Sequence, residues 1–396
     1  MQPIYALFIN GIDVTTRLQG RVMSITLDDS AGFSNDKLTI VVENDPPIVV
    51  PKRGAKLSFF LGYQSKENMP VPRDRMLKYM GDFELDETDV GKSKDGGKYM
   101  RLNLHGLATG SLWKETYNKE YEGVSIGEIV EYVARQNKLE AIIDPKFYKV
   151  TVEYIAQTKE SYQSFLTRLA MRYGAGFKIS SDKLLFTRIG SIETLAAEIA
   201  EHETESWSWL NQSTSNYGTV VTNAYNPDLK RYEYAATIVK TNSAEESERE
   251  ENARLELPSL YATKEEAQAA ADGKASALEA QGHTLSITLS QGRPALRAEM
   301  MIKTRNFHPT VQGVKFPQYW HLAKVVHSFS KDGYKTTIEC DKPFDAERAE
   351  ANSNLTSEQQ QALIDARAQT VKDLKKEADK ERKERNDEKK RLLKQQ

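Results

Sequence analysis

One uninterrupted stretch, residues 154–190, constrains the fold most strongly, because it encodes a strand, a helix, a turn and a hairpin in succession. Thr158 or Ser161 can cap the start of the helix by accepting a hydrogen bond from a free backbone amide, a contribution of about 1 kcal/mol. Gly174 and Gly176 end the helix, since glycine accepts the left-handed conformation of a helix terminus. The residues that follow alternate around a polar turn, which predicts a two-stranded hairpin.

The predicted helix carries a broad apolar face. Apolar and aromatic side chains recur at four-residue steps along two adjacent rows, so they cover one side of the helix. We expect these side chains to form the structural core of the helix, namely Tyr162, Phe165, Leu166, Leu169 and Tyr173.

Length and hydrophobic patterning predict an α+β, mainly β protein with more than one domain. The 396 residues are enough for two or three cores. Short alternating segments separated by turn residues predict antiparallel β structure, as a sandwich or a barrel, on both sides of a mixed segment. The predicted divisions are a first β region at 1–112, a mixed α/β segment at 113–190, a connector at 191–215, a second β region at 216–345 with a helix at 264–281, and a charged helical tail at 346–396.

The mixed segment begins with a second helix. Ser125 with Glu128 three residues later forms a capping-box signature, which predicts a helix start at that point. The order of a short helix, an extended segment and a second helix resembles the peptidoglycan-binding folds known as LysM modules. This resemblance implies an alternative function, peptidoglycan binding through residues 113–176.

Two tryptophans stand out in the connector, where we also expect a short helical stretch at 192–201. Trp207 and Trp209 alternate, so both face the same side if this piece is extended. Burial in a core is the favoured interpretation. An exposed aromatic pair would instead mark a subunit contact, so the pair is also a candidate interface.

The last segment changes composition abruptly. From about residue 356 it consists mainly of Glu, Lys, Arg, Gln and Ala without Gly or Pro, which favours helix. No large apolar residue occurs between Asp379 and Arg391, so this part cannot form the seam of a coiled coil. We expect a solvated helix or a disordered segment.

The charge balance argues against a general affinity for polyanions. Lys and Arg number 55 against 57 Asp and Glu, which leaves a formal net charge of −2, so we expect no specific nucleic-acid binding. The first residues lack the basic start of a secretory signal, and no apolar run reaches the roughly 18 residues of a membrane span. We therefore expect a soluble protein, made in the cytoplasm, without stable membrane insertion.

No motif for catalysis or metal binding occurs in the chain. The six histidines lack the spacing and the cysteine partners of a zinc site, and His321 and His327 lie on one predicted strand too far apart to share an ion. The single cysteine, Cys340, lies in an alternating segment where a core thiol is expected rather than a nucleophile. We expect no enzymatic activity, no cofactor and no metal.

Two separate sequences nevertheless resemble one known family. The string SYQSFLTRLAMRYGAGFK, followed by DKLLF, resembles the late control gene D family, the baseplate hub proteins of contractile phage tails. Related hubs occur in tail-like bacteriocins and in the spike proteins of type VI secretion. The string QGRPALRAEMMIKTRNFHPTVQG, followed by YWHLAKVVHSFSKDGYKTTIECD, is similar to the closing segment of the same family.

This resemblance implies both an architecture and a set of partners. It implies two tail-tube-like antiparallel β-barrel domains in each chain, with an α/β insertion between them. It further implies a homotrimeric ring in the baseplate of a virion tail or tail-like particle, assembled in the host cytoplasm. That ring adapts the sixfold tail tube to the threefold central spike, with the spike and tail tube proteins as partners and the wedge and tape-measure proteins as further candidates.

Overall fold

The structure is a computed structural model, and it describes most of the chain. The described residues are 1–31, 36–65, 70–93, 97–106, 113, 115–180, 183–188, 195–211, 217–226, 230–239, 253–280, 283–311 and 314–343. The charged tail predicted at 346–396 lies outside the described residues.

Strands dominate the described structure. The first group is β1 (Gln2–Ile9), β2 (Ile12–Asp13), β3 (Val22–Ser30), β4 (Lys37–Glu43), β5 (Lys56–Gln64), β6 (Lys78–Ser93), β7 (Gly97–Gly106), β8 (Thr116–Ser125), β9 (Glu140–Ile143), β10 (Thr151–Ser161), β11 (Ala175–Ser180) and β12 (Lys183–Arg188). The second group is β13 (Leu195–Ala200), β14 (Thr204–Asn211), β15 (Thr219–Asn226), β16 (Arg231–Ile238), β17 (Arg254–Tyr261), β18 (His283–Leu289), β19 (Met301–Arg305), β20 (Thr310–Val311), β21 (Val314–Lys315), β22 (Tyr319–Ser330) and β23 (Gly333–Pro343).

Four α-helices accompany these strands in the described part of the chain. They are α1 (Thr15–Leu18), α2 (Ile126–Gln136), α3 (Tyr162–Tyr173) and α4 (Lys264–Ala280), with short 3-10 turns at Pro145–Tyr148 and Glu201–Glu203. Among the residues described, none of the helices has the length and apolar character needed to span a bilayer.

The largest sheet contains 13 strands and combines both predicted β regions. Its main path runs β14, β18, β23, β22, β3, β4, β7, β6, β5, β1 and β2, and β19 and β13 branch from β22. The prediction of two closed barrels is therefore wrong for the described strands. The outermost strand of the first β region, β3, pairs with β22 of the other region and does not close on β1. Alternation in a sequence identifies strands but not their partners.

The mixed segment has a core of its own, as its patterning predicts. Ser125 and Glu128 form the complete capping box at the start of α2. At α3 the cap is Ser161, whose Oγ accepts from the Ser164 amide at 3.2 Å, and Gly174 ends the helix with a φ of 63°. The five side chains expected to line α3 are all buried in one cluster, namely Tyr162, Phe165, Leu166, Leu169 and Tyr173.

The helix α4 packs closely against α3 because both present glycine where they approach. A Cβ added to Gly174 would lie 2.2 Å from the Cα of Gly273, so neither position has room for a side chain. On its other side α4 covers the small sheet of β16, β15 and β17. The Thr222 hydroxyl of β15 donates a hydrogen bond to the Ala267 carbonyl of α4 at 2.9 Å. The strands β15, β16 and β17, expected in the second barrel, thus form a separate layer over α4.

The predicted helical stretch at 192–201 is wrong in its described part. Residues 195–200 form β13, which pairs in parallel with β19. Ile199 and Ala200 are almost fully buried there, and burial within a sheet outweighs intrinsic helix propensity, even that of alanine, the best helix former. The domain boundaries themselves stay a prediction.

Truncating the buried face of α3 should destabilise the protein far more than truncating its outer face. Leu169 is 0% exposed, so Leu169→Ala should lower the free energy of unfolding by about 2–5 kcal/mol. Met171 lies on the same helix and is 65% exposed, so Met171→Ala should change it by less than about 0.5 kcal/mol. Urea unfolding of both variants measures the difference, and equal losses would contradict the assignment of the buried face.

Candidate assembly interface

The large sheet consists of two units that share one strand order. We define the first unit as β1, β3, β4, β5, β6 and β7, and the second unit as β13, β14, β18, β19, β22 and β23. If the strands of each unit are numbered one to six along the chain, both units pair in the order 2, 3, 6, 5, 4, 1. The pairing of strands 4 and 1 is antiparallel in the first unit and parallel in the second.

The two units also share irregularities of register. In the first unit, β6 shifts against β7 between Leu85 and Glu87. In the second unit, β22 shifts against β23 between Leu322 and Lys324. Leu85 and Leu322 each pair with the inward residue of the sixth strand, so the two irregularities occupy equivalent places. A β-bulge is a specific feature, and its repetition supports structural equivalence.

A second pair of irregularities agrees with the first. The strand β3 shifts against β4 between Val22 and Ser24, and β14 shifts against β18 between Thr204 and Ser206. Both shifts lie at the start of the second strand of their unit. The first unit is therefore a structural repeat of the second, although their residues are largely different.

The two units meet where β3 pairs with β22, and we call this pairing the seam. The first three residues of β22 pair with β19 of its own unit. From Lys324, opposite Ser30, to Ser330, opposite Ser24, the same strand pairs antiparallel with β3. Along one edge, β22 thus pairs first with β19 of its own unit and then with β3 of the first unit.

A buried charge cluster lies beside the seam. Asp29 of β3 is 2% exposed and forms an ion pair with Lys178 of β11. Its second carboxylate oxygen lies 3.7 Å from Arg297 and accepts from the Ala298 amide at 3.3 Å. Burial alone would raise the pKa of Asp29, but the charges of Lys178 and Arg297 lower it below its ordinary value. The cluster connects the seam with the mixed segment.

Lys178 also forms an ion pair with a second carboxyl group, that of Asp36. Its Nζ lies 3.0 Å from Asp36 at the end of the β3–β4 connection. Burial and the nearby charge of Asp29 raise the pKa of Asp36 to about 6. Burial would lower the pKa of Lys178, yet Asp29 and Asp36 together raise it, so the lysine stays charged.

His327 of β22 lies at the seam, in a different environment from His321. His327 is fully buried, and its pKa falls to about 3 because of desolvation and the charge of Arg297. The neutral ring accepts at Nδ1 from the Tyr334 hydroxyl at 2.8 Å and donates from Nε2 to the Leu296 carbonyl at 3.1 Å.

His321 near the start of β22 is held between two carboxylates. Its Nδ1 lies 2.6 Å from Asp341 and its Nε2 lies 3.2 Å from Glu299. Burial would lower the pKa of His321, but hydrogen bonds and charge from these two partners raise it to about 9. Each histidine of β22 therefore has its own structural partners.

A further buried cation connects the second unit with the first. Arg293 is 6% exposed, donates to the Glu198 carbonyl at 2.7 Å and forms an ion pair with Glu203. Its Nε lies 3.8 Å from Asp74, in the segment that precedes β6. The ion pairs of Arg293 with Asp74 and of Arg297 with Asp29 thus both join the segment between β18 and β19 to the N-terminal part of the chain.

The candidate interface residues Trp207 and Trp209 lie on the inner face of β14 and are half-buried. Their rings make edge contacts with Phe316 at centroid distances of 5.9 and 5.2 Å. The strand β14 pairs with β18 at one edge, and in the described part of the chain no strand pairs with its other edge. The tryptophans thus complete the core of the second unit at an open edge, and their role as an interface stays a prediction.

The described residues contain no group of three or more His, Cys, Asp or Glu side chains that could hold a metal ion. Cys340 is 1% exposed, and burial raises the pKa of its thiol well above the ordinary value. It is the core thiol that the sequence predicts.

Removing the charge of Lys178 should destabilise the protein in a pH-dependent way. Lys178→Met removes the cation that the buried Asp29 and Asp36 share and leaves Arg297 beside Asp29, which should cost about 3–5 kcal/mol at pH 8. The loss of the cation raises both carboxyl pKa values, so protonation at pH 5 should reduce this loss. Urea unfolding at both pH values measures the effect.

Lys183→Met on the same hairpin is the matched control, because the Lys183 side chain is 45% exposed and pairs with the exposed carboxylate of Glu140. We expect a change within about 0.5 kcal/mol at either pH. A Lys178→Met variant as stable as this control would contradict the role assigned to the cluster.

Comparison with known proteins agrees with the two sequence resemblances. The probable baseplate hub protein of Escherichia phage 186 is 26% identical over 376 residues, which cover 86% of this chain and 92% of that protein. A tail protein from Neisseria meningitidis MC58 has a similar structure, with a TM-score of 0.60, 12% identity and coverage of 86% and 97% of the two chains. A component of the type VI secretion system from E. coli aligns with a TM-score of 0.50, 12% identity and coverage of 86% and 77%.

The family evidence covers more than half of the chain. The sequence model of the phage tail baseplate hub (GPD) family matches residues 109–333, which include α3, β14 and the seam strand β22. It therefore confirms the resemblance carried by the two quoted strings. The chain belongs to the phage tail baseplate hub (GPD) family, whose members are structural proteins of the virion tail baseplate.

Proposed function

We propose that three copies of this baseplate hub protein form a closed ring that adapts a sixfold tail tube to a threefold central spike. The observation that carries the proposal is the repeated strand order of the two units, together with their matched bulges. Three copies contribute six similar units, which is the number that a sixfold tube requires on the surface it contacts. Three copies also have the symmetry of a trimeric spike.

The seam supports this proposal because it is an example of two units packed side by side. Its backbone pairing, the buried Asp29 and the buried Arg293 hold the first unit against the second within one chain. A ring needs the same kind of contact between chains, and closed rotational symmetry then leaves no strand edge open.

Its partners in this role are a central spike protein and a tail tube protein, with the wedge and tape-measure proteins as further candidates. The peptidoglycan-binding alternative is not favoured. Residues 113–176 lie within the region that matches the hub family and form one core with α3, so a family role accounts for them.

The solution mass of the full chain tests the proposed ring. We expect light scattering to give three times the chain mass of 44.8 kDa for the protein alone, or, after mixing with its central spike protein, a complex whose mass is that of three hub chains plus the spike. A mass of one copy in both conditions would contradict the ring. A mass of two or six copies would retain assembly but contradict the threefold adaptor.

A further inference from the structure

We propose that β14 of one copy pairs with β6 of the next copy and repeats the seam between chains. This inference rests on the proposed ring and identifies the two strand edges that close it. Within a chain, the second strand of the first unit pairs with the fifth strand of the second unit. Between chains, the equivalent contact joins the second strand of the second unit to the fifth strand of the first.

The strand β6 presents the edge that this contact needs. Its residues from Lys78 to Glu84 pair with β5, and its remaining residues pair with β7 at one edge only. Among the described residues, no strand pairs with the other edge of β6 beyond Glu84. The equivalent edge of β22, from Lys324 to Ser330, pairs with β3. Val90 on this portion of β6 is 53% exposed although it pairs with the buried Met100.

The strand β14 presents the complementary edge. It pairs with β18 as β3 pairs with β4, and the two strands share the same bulge. In β3 the outer edge is covered by β22, whereas in the described residues the outer edge of β14 has no strand beside it. Leu210 on this strand is 51% exposed. A long regular edge without a cover is rare in a monomer, because it invites pairing with another chain.

The seam fixes the register of the proposed contact. The matched bulges make Val325 of β22 equivalent to Thr88 of β6, and Ile25 of β3 equivalent to Trp207 of β14. Transferring the seam pairs by this equivalence places residues opposite each other as follows: Thr88 with Asn211, Asp89 with Leu210, Val90 with Trp209, Gly91 with Ser208, and Lys92 with Trp207.

The chemistry of the side chains agrees with this register. Val90 lies on the inner face of β6, since it pairs with the buried Met100, and Trp209 lies on the inner face of β14. The pairing therefore places two apolar side chains opposite each other. Lys92 takes the position opposite Trp207, where an ammonium group can interact with the indole ring. A shift by one residue would place inner residues opposite outer ones, which the open core does not permit.

Disulfide trapping tests the register in the full chain. Asp89 and Leu210 are opposite each other in the proposed contact, where Cα atoms lie about 4.5–5.5 Å apart, a distance that a disulfide spans. Both side chains are partly exposed on the outer face, so their replacement leaves each core intact. After mild oxidation with diamide, the double variant Asp89→Cys with Leu210→Cys should migrate as a covalent trimer on a non-reducing gel.

The matched control moves one cysteine along the same face of β14. Asp89→Cys with Ser206→Cys places the second thiol four residues away, about 13 Å along the strand and beyond disulfide range. We expect no covalent trimer from this variant. The buried Cys340 is present in both variants, so any crosslinking through it contributes equally to both gels.

The outcomes separate this inference from the proposed ring. A threefold solution mass with trapping of the Asp89 and Leu210 pair alone supports both. A threefold mass without trapping, or with equal trapping of the control, overturns the strand pairing and leaves the ring. A single-copy mass, with and without the spike protein, overturns both.

A surface substitution gives a second, independent measurement. Val90→Asp should raise the protein concentration at half-assembly by about 10- to 100-fold, because it places a carboxylate opposite Trp209 in the contact. Ile238→Asp is the matched control, since Ile238 is an exposed β-branched residue on β16, which belongs to a separate three-stranded sheet. Both variants should keep the unfolding midpoint of the parent within a few degrees. Equal assembly of the two variants would overturn the pairing.

Discussion

The backbone pairing of β3 with β22 is the contact on which the rest of the structure depends. It joins two regions that are separated in the chain by almost 300 residues into one sheet, and it removes from solvent an edge that each unit would otherwise expose. Because strand pairs are regular, this contact also sets the angle and distance between the units. Every other contact between the two units supports a geometry that the seam has already defined.

Buried charges make that geometry specific. Asp29 receives positive charge from Lys178 on the mixed segment and from Arg297 on the second unit, so three parts of the chain must be in place before its burial is tolerated. A hydrophobic contact in the same place would accept many small displacements. A buried carboxylate with a pKa below its ordinary value accepts few, since each displacement leaves charge without a partner. The cluster therefore acts as a positional constraint on the seam.

Local features of the fold were predictable from the sequence, and long-range pairing was not. The Ser125 capping box, the face of α3 around Leu169 and the burial of Cys340 follow from spacing within a few residues. The prediction of a helix at 192–201 was wrong because burial of β13 beside β19 contributes more to stability than the helix propensity of alanine does. The prediction of two closed barrels was wrong because the sequence of an alternating strand such as β3 does not indicate which strand it pairs with. The family resemblance supplied the function, which no catalytic or binding motif encodes.

The two units share one strand order but differ in the segment that connects their second and third strands, and this difference bears on the symmetry of the proposed ring. In the first unit only a short connection joins the second and third strands, β3 and β4. In the second unit the same connection, between β14 and β18, holds β15, β16, β17 and α4, and α4 packs against the end of α3. In the proposed ring the six sheets therefore offer similar edges to a sixfold tube, while the inserted layer recurs only three times. Insertion at one of two equivalent loops is sufficient to lower sixfold symmetry to threefold, without any change in the sheet itself.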